Sequence, residues 1–196
     1  MTRVTIRHLR EGDVPTARRI SSLAFGTFLD VPEPEDFRSD VDSIGTRFKT
    51  DPSSTFAAEI DGRLTGSNIA TNWGSVGFFG PLTVLPEYWD RGVGSSLIEP
   101  VMELFSKWGV KHRGLFTFAQ SPKHIGLYQK YGFWPRFLTA IMSKQIHPQG
   151  EQIQWSRYSE ANESDQRSLL SACYEITDAI YDGFRIDCEL HAVQSQ

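Results

Sequence analysis

The residues best suited to chemistry lie in the run 84–97, where a predicted strand end, a tight turn and a predicted helix start follow one another directly. Gly92 and Gly94 stand at the helix start, where the missing Cβ lets a ligand approach the backbone. The first N–H groups of a helix lack internal partners and lie at the positive end of its dipole. The run therefore predicts a binding site for a pyrophosphate group.

The elements around this run follow from residue periodicity. Asp61 and Gly62 join two apolar runs and predict a tight hairpin turn between strands. Residues 76–84 predict a third strand, in which Gly80 and Pro81 indicate a bulge. The apolar stripe that follows Val93 predicts a long amphipathic helix. A further strand is predicted at 115–119, a short helix at 122–131, and a terminal hairpin or long strand at 133–143.

Two segments of the chain resemble motifs of the GCN5-related N-acetyltransferase superfamily. Residues 84–94 resemble its acyl-CoA signature, in which Val-x-Pro leads into Gln/Arg-x-x-Gly-x-Gly/Ala. Residues 127–133 resemble its Tyr-x-Lys-x-Gly-Phe ending. The resemblance covers roughly residues 1–145 and implies an α/β (α+β) fold, with a mixed, mostly antiparallel twisted sheet flanked by helices.

The same resemblance implies acetyl-CoA as the co-substrate and assigns residues to it. Its pantetheine arm is expected along Leu82, Thr83 and Val84, as an added strand would lie. The phosphates are expected on the backbone groups of Arg91, Gly92, Val93, Gly94, Ser95 and Ser96. Ser121 stands where a CoA-contacting Asn is common, and Trp89 replaces the usual Gln or Arg. Tyr128 matches the acid that protonates the departing thiolate.

The general base and the acceptor are less constrained by the sequence. The strand 76–84 carries no carboxylate, so the base stays open between Glu59 and a water relay. A backbone N–H near the bulge at residues 79–82 is the expected donor to the oxyanion. Residues 30–42 hold six acids and one arginine, which favours a cationic amine over an acidic acceptor, although such loops often only face solvent.

These features predict an N-acetyltransferase that acts on a primary amine of a small cationic molecule or a peptide. A CoA-binding regulatory or interaction protein with little or no transferase activity is the alternative. The net charge of -4 argues against nucleic acid as a partner. Four glycines and Pro81 argue against a membrane span in the uncharged run 64–86. The arginine-bearing N-terminus predicts a cytoplasmic protein, and the spacing of the two cysteines predicts no metal site.

The predicted domains are an acyltransferase domain at 1–145 and a C-terminal extension at 146–196. Aligned without gaps, 153–174 echoes 4–25, with Glu11 facing Glu160 and Asp13 facing Asn162. An incomplete second strand-helix start and chance similarity both explain the echo. The predicted helix carries an apolar stripe of Leu169, Cys173, Ile176 and Ile180. We expect this stripe to pack on the first domain or on a second subunit in a homodimer.

Overall fold

The structure, a computed structural model, describes residues 3–140, 142 and 157–194. The chain forms two compact units. One contains the residues up to Leu115 together with those from Cys173 onward, and the other is Phe116–Ala172. The predicted boundary at residue 145 lies outside the described residues, so the division into 1–145 and 146–196 stays a prediction.

The larger unit is built on a mixed sheet. Its strands are β1 Val4–His8, β2 Thr55–Ile60, β3 Arg63–Trp73, β4 Val76–Phe79, β5 Thr83–Val84 and β6 His112–Gly114. The strand order is β1-β2-β3-β4-β6, with β5 also paired to β3, and among these described strands only the β4–β6 pair is parallel. The helices are α1 Val14–Phe28, α2 Ser43–Thr50, α3 Val93–Trp108, α4 Pro122–Gln129, α5 Glu163–Ile180 and α6 Asp187–Gln194. This architecture confirms the predicted fold class.

Helices cover both faces of the sheet in the larger unit. Ile69 on β3 packs in one apolar cluster with Ile20 of α1 and Ile44 of α2. On the opposite face, a Cβ at Gly66 would lie 3.2 Å from the Leu97 side chain of α3. Successive residues of a strand point to opposite faces, so β3 is covered on both sides. The predicted Asp61–Gly62 turn is confirmed, since both residues have positive φ between β2 and β3.

Two predicted strands differ from the structure. The strand expected at 115–119 lies instead at His112–Gly114, because it pairs in parallel with β4 from Val76 onward. The N–H groups of Lys111 and His112 both donate to the carbonyl of Ser75, which fixes this earlier start. Residues 133–140 form no strand, and Pro135 within them lacks the N–H that a ladder requires. The rest of the predicted 133–143 strand is described only at residue 142.

The C-terminal echo is matched in its helical part. Helix α5 begins at Glu163, which the ungapped alignment places opposite Val14, the first residue of α1. Asn162 caps it, because its side-chain oxygen accepts from the N–H groups of Ser164 and Asp165 at 3.0 Å. The strand predicted from residue 153 lies outside the described residues. Exposed members of the apolar stripe are Leu169, Ile176 and Ile180, and their packing on a second copy stays a prediction.

Residues after Cys173 complete the larger unit. The N–H of Ser75, in the β3–β4 turn, donates to Gly183 O at 2.8 Å, and the N–H of Arg185 donates to Trp73 O at 2.9 Å. One carboxylate oxygen of Glu189 accepts from Arg47 at 2.7 Å and from the Trp73 indole at 3.0 Å. The segment therefore joins α2 to the end of the β3–β4 hairpin within one chain.

Replacing Glu189 with alanine is expected to lower the free energy of unfolding by about 1–3 kcal/mol, because two donors lose a shared charged acceptor. The matched control is Asp182→Ala, which removes an exposed ion pair with Lys111 and should cost less than about 0.5 kcal/mol. Urea denaturation of the two full-length variants measures both values. Equal losses would show that the Glu189 contacts contribute no more than a surface pair.

Candidate active site

The turn between β5 and α3, residues 85–92, presents backbone N–H groups at a helix start. Gly92 has φ +81° and precedes the first helical residue, Val93. Asp90 also has positive φ, at +64°, so two left-handed residues reverse the chain before the helix. The backbone N–H of Ser96 donates to Gly92 O at 3.1 Å. The N–H groups of Val93, Gly94 and Ser95 come before Ser96 in the first turn of the helix. This geometry suits an anion.

Two arginines add positive charge to the same turn. The Arg91 guanidinium lies 5.2 Å and the Arg63 guanidinium 5.9 Å from the centre of the Tyr88 ring. Arg63 also pairs with Glu87 at 2.7 Å, with both side chains about half exposed. Sequence reasoning missed Arg63, although its place directly after the Asp61–Gly62 turn puts it at the strand end nearest this turn. Arg91 thus places a positive charge next to the helix N-terminus, whereas the charge of Arg63 is paired with that of Glu87.

The strand before the turn is interrupted by the predicted bulge. Phe79 pairs with Ala70 in β4, and Thr83 pairs with Ser67 in β5. Between these pairs, 80–82 oppose only Asn68 and Ile69 of β3, so one residue is extra. Gly80 takes φ +136°, a conformation that L side chains rarely adopt. The bulge thus begins close to the place where the parallel strand β6 stops pairing with β4, at Phe78.

Beyond the bulge, alternate backbone groups face away from β3. The N–H of Leu85 donates to Thr65 O at 2.8 Å, and bonded pairs alternate in an antiparallel ladder. Thr83 therefore bonds to Ser67, whereas Val84, opposite Gly66, directs its N–H and C=O to the outer side. The Thr83 side chain is buried and lies near the Ser67 hydroxyl at 3.4 Å. Val84 supplies the outward backbone groups of this edge.

Nearer the bulge, the set of candidate N–H donors is small. The N–H of Gly80 donates to Ile69 O at 2.8 Å, and proline at position 81 has no N–H. Leu82 lies between the bulge and the first paired residue of β5, Thr83, and it has a backbone N–H. The backbone N–H groups of Phe79 and Leu82 are therefore the candidate donors to an oxyanion near the bulge.

Helix α3 is held to the sheet next to this turn. The buried Asn68 side chain donates to Leu97 O at 3.1 Å, and its own oxygen accepts from the N–H of Ile69. Pro100 lies inside α3 and cannot donate to the carbonyl of Ser96. The Asn68 bond falls in this stretch of the helix, so it fixes the first turns of α3 where regular bonding is interrupted.

Tyr128 and Ser121 belong to the smaller unit, on and before α4. Tyr128 is 8% exposed, and burial raises the pKa of its phenol to about 12, against a hydrogen bond with Thr117 that lowers it. The phenol therefore stays protonated near neutral pH and can act only as a donor of its proton. Ser121 is buried and caps α4, because its hydroxyl accepts from the His124 N–H at 3.4 Å.

The remaining candidates are engaged in structural contacts. Glu59 accepts from Arg7 at 2.8 Å, which leaves this carboxylate in an ion pair rather than poised as a base. In the acidic segment, Asp42 pairs with Arg18 at 3.2 Å and Glu35 with Arg19 at 3.3 Å. Within the described residues, no three His, Cys, Asp or Glu side chains cluster as metal ligands, and no helix is long and apolar enough to cross a membrane.

Comparison with known proteins places this site in a family. The model of the Acetyltransferase (GNAT) family matches residues 17–133, more than half of the chain, and the chain belongs to that family. The protein is thus an acetyltransferase by class. No protein of curated function matches the sequence.

Solved structures of similar fold agree with the assignment. An acetyltransferase structure from Pyrococcus horikoshii is 19% identical with a TM-score of 0.54, over 68% of this chain but 44% of its own length. The ribosomal-protein-S18-alanine N-acetyltransferase from Escherichia coli is 23% identical with a TM-score of 0.51, over 66% of this chain and 77% of its own. The PaiA N-acetyltransferase from Thermoplasma acidophilum, solved with coenzyme A, is 17% identical with a TM-score of 0.55, over 66% of this chain and 88% of its own length. At these identities, the likeness shows the fold.

Proposed function

We propose that this protein transfers an acetyl group from acetyl-CoA to a primary amine of a small cationic molecule or a peptide. The observation that carries the proposal is the β5–α3 turn, with Gly92 at positive φ and the outward backbone of Val84 beside it. A turn that binds pyrophosphate, joined to a strand edge that can pair with an extended amide chain, suits CoA. Acetyl-CoA supplies the thioester carbonyl that the amine attacks.

The phosphate contacts are the residues whose N–H groups gather at the helix start. The first-turn N–H groups of Val93, Gly94 and Ser95 donate to the anion, while the N–H of Ser96, the last residue of the proposed phosphate turn, already donates to Gly92 O. Arg91 supplies compensating charge, whereas Arg63, across the Tyr88 ring, is ion-paired with Glu87. The Val84 N–H donates to a carbonyl of an extended arm that runs along Leu82, Thr83 and Val84. Ser121 remains a proposed contact whose hydroxyl has an intramolecular partner.

For the transfer itself, the neutral amine forms a C–N bond with the thioester carbon, and the C–S bond breaks. The backbone N–H of Phe79 or Leu82 donates to the carbonyl oxygen as negative charge develops there. The amine loses a proton to solvent or a base that is not assigned, and the departing sulfur gains a proton from Tyr128. Burial raises the pKa of Tyr128 to about 12, which keeps the phenol protonated when sulfur leaves but makes it a weaker acid toward that sulfur.

Two of the proteins with a similar fold suggest acceptor classes. One is an enzyme for the alanine of a ribosomal protein, and another is an aminoglycoside N-acetyltransferase. Both act on amines, and the acidic segment 30–42 of this chain is consistent with a cationic acceptor. We therefore propose polyamines, aminoglycosides and N-terminal peptides as the first acceptors to assay.

The test measures thiol release from acetyl-CoA by the full-length protein with each member of that panel. Acceptor-dependent release, with the acetylated amine identified by mass spectrometry, would establish transfer. The second candidate function is a CoA-binding module without turnover, which the Ser121 cap and the ion-paired Glu59 favour. Tight CoA binding without release by any acceptor would support that function instead.

A further inference from the structure

The Trp89 side chain already occupies one of the backbone groups that face outward from β5. Its indole N–H donates to Val84 O at 2.7 Å, which is a short and well-formed hydrogen bond. Trp89 itself is half-buried, and its backbone N–H donates to Pro86 O at 3.1 Å. The ring therefore folds back from the end of the β5–α3 turn onto the strand that precedes it.

The position of this bond matters because Val84 has two outward groups. The ladder with β3 engages Thr83 and Leu85, and it leaves the Val84 N–H and C=O on the outer side. An extended ligand that adds to a strand edge uses both groups, since its carbonyl oxygens accept from the strand N–H and its own N–H groups donate to the strand C=O. With the indole on the carbonyl, Val84 offers an extended ligand its N–H, while its C=O has a donor within the chain.

We propose that Trp89 is a specificity-determining residue that competes with the pantetheine arm of CoA for the Val84 carbonyl. The inference rests on the proposed function. Binding of the arm either proceeds with one hydrogen bond fewer or displaces the indole, and both lower the contribution of the arm to affinity. The nucleotide phosphates bind beyond the turn, on the helix start, and their contacts do not involve this carbonyl.

The test compares two ligands on two variants of the full-length protein. CoA carries the pantetheine arm, whereas 3′-phospho-ADP carries only the nucleotide and its phosphates. Trp89→Phe keeps an aromatic ring in place but removes the indole N–H. We expect this substitution to tighten CoA binding by roughly twofold to tenfold, the value of one net hydrogen bond, and to leave 3′-phospho-ADP binding unchanged.

Trp108→Phe is the matched control, because it makes the same substitution at the far end of α3, beside Phe105. Titration calorimetry measures all six affinities, for the two ligands on each of the two variants and on the wild type. If Trp89→Phe weakens the binding of both ligands equally, the proposal is overturned, since Trp89 would then only support the turn. Unchanged CoA affinity in Trp89→Phe would also overturn the competition, although the protein would still bind CoA as the proposed function requires.

Failure of the proposed function gives a different pattern. If neither ligand binds the wild type or the Trp89→Phe protein, CoA is not the ligand and the competition is excluded with it. If CoA binds only after the substitution, the indole blocks the arm in the wild type and the proposal is supported. A spectrum of ¹⁵N-labelled tryptophan, in which Trp89→Phe identifies the signal, should show the indole proton protected from exchange without ligand, and an unprotected proton would overturn the proposal.

Discussion

Replacing Gly92 with alanine is expected to weaken CoA binding roughly tenfold to a hundredfold, because several N–H groups at the start of α3 lose their common direction. Gly92 has φ +81°, which costs an L residue about 1–2 kcal/mol. A Cβ there would meet nothing within 4 Å, so packing does not block the substitution. The chain can relieve the strain only by turning the backbone that precedes Val93.

Gly109 provides a matched control at the opposite end of the same helix. It has φ +67°, and a Cβ there also meets nothing within 4 Å. Gly109→Ala should lower the free energy of unfolding by a similar amount, about 1–2 kcal/mol, without changing CoA affinity. Calorimetric titration with CoA and urea denaturation separate the two effects. A loss of CoA affinity in both variants would trace the effect to the stability of α3 rather than to the anion-binding turn.

Replacing Tyr128 with phenylalanine is expected to lower turnover by about tenfold or more, with little change in CoA affinity, because the departing sulfur loses its proton donor. Burial holds the pKa of the phenol at about 12, above its ordinary value near 10. The phenol stays protonated as pH rises through the assay range. The ratio of wild-type to variant turnover should therefore stay constant from roughly pH 6 to pH 9.

The control for Tyr128→Phe is Tyr131→Phe, which removes a hydroxyl from a neighbouring residue of the same segment. Steady-state assays at saturating acetyl-CoA give turnover for both variants, and CoA titration confirms that each binds. Turnover of Tyr128→Phe equal to that of the wild type would remove Tyr128 from the reaction. A ratio that collapses toward one as pH rises within the assay range would show that the Tyr128 phenol itself loses its proton there, which contradicts a pKa of about 12.

The short-range features of the fold were predictable from the sequence. Asp61–Gly62, the bulge around Gly80 and the helix that starts after Gly92 each depend on residues adjacent in the chain. Such features are predictable because backbone preferences and hydrophobic periodicity act over a few residues.

Features that depend on distant partners were not predictable. The position of β6 depends on its register with β4, which the apolar run 115–119 does not encode. The bond from Trp89 to Val84 depends on how the turn folds back, although both residues lie within one motif. Arg63 approaches Tyr88 only because β3 and β5 pair. The assignments of Tyr128 and Ser121 as site residues came from family resemblance and stay predictions.

The closing segment of the larger unit has a consequence for synthesis of the protein. Arg47 and Glu189 form their ion pair across 142 residues of sequence, and the smaller unit lies between them in the chain. Such contacts form slowly because a long loop must close first. A ribosome that has released the sheet and α3 still holds the residues that cover the β3–β4 hairpin. The Trp73 indole therefore lacks its Glu189 acceptor until that residue has left the ribosome, and the partly built unit is a candidate for chaperone binding during that interval.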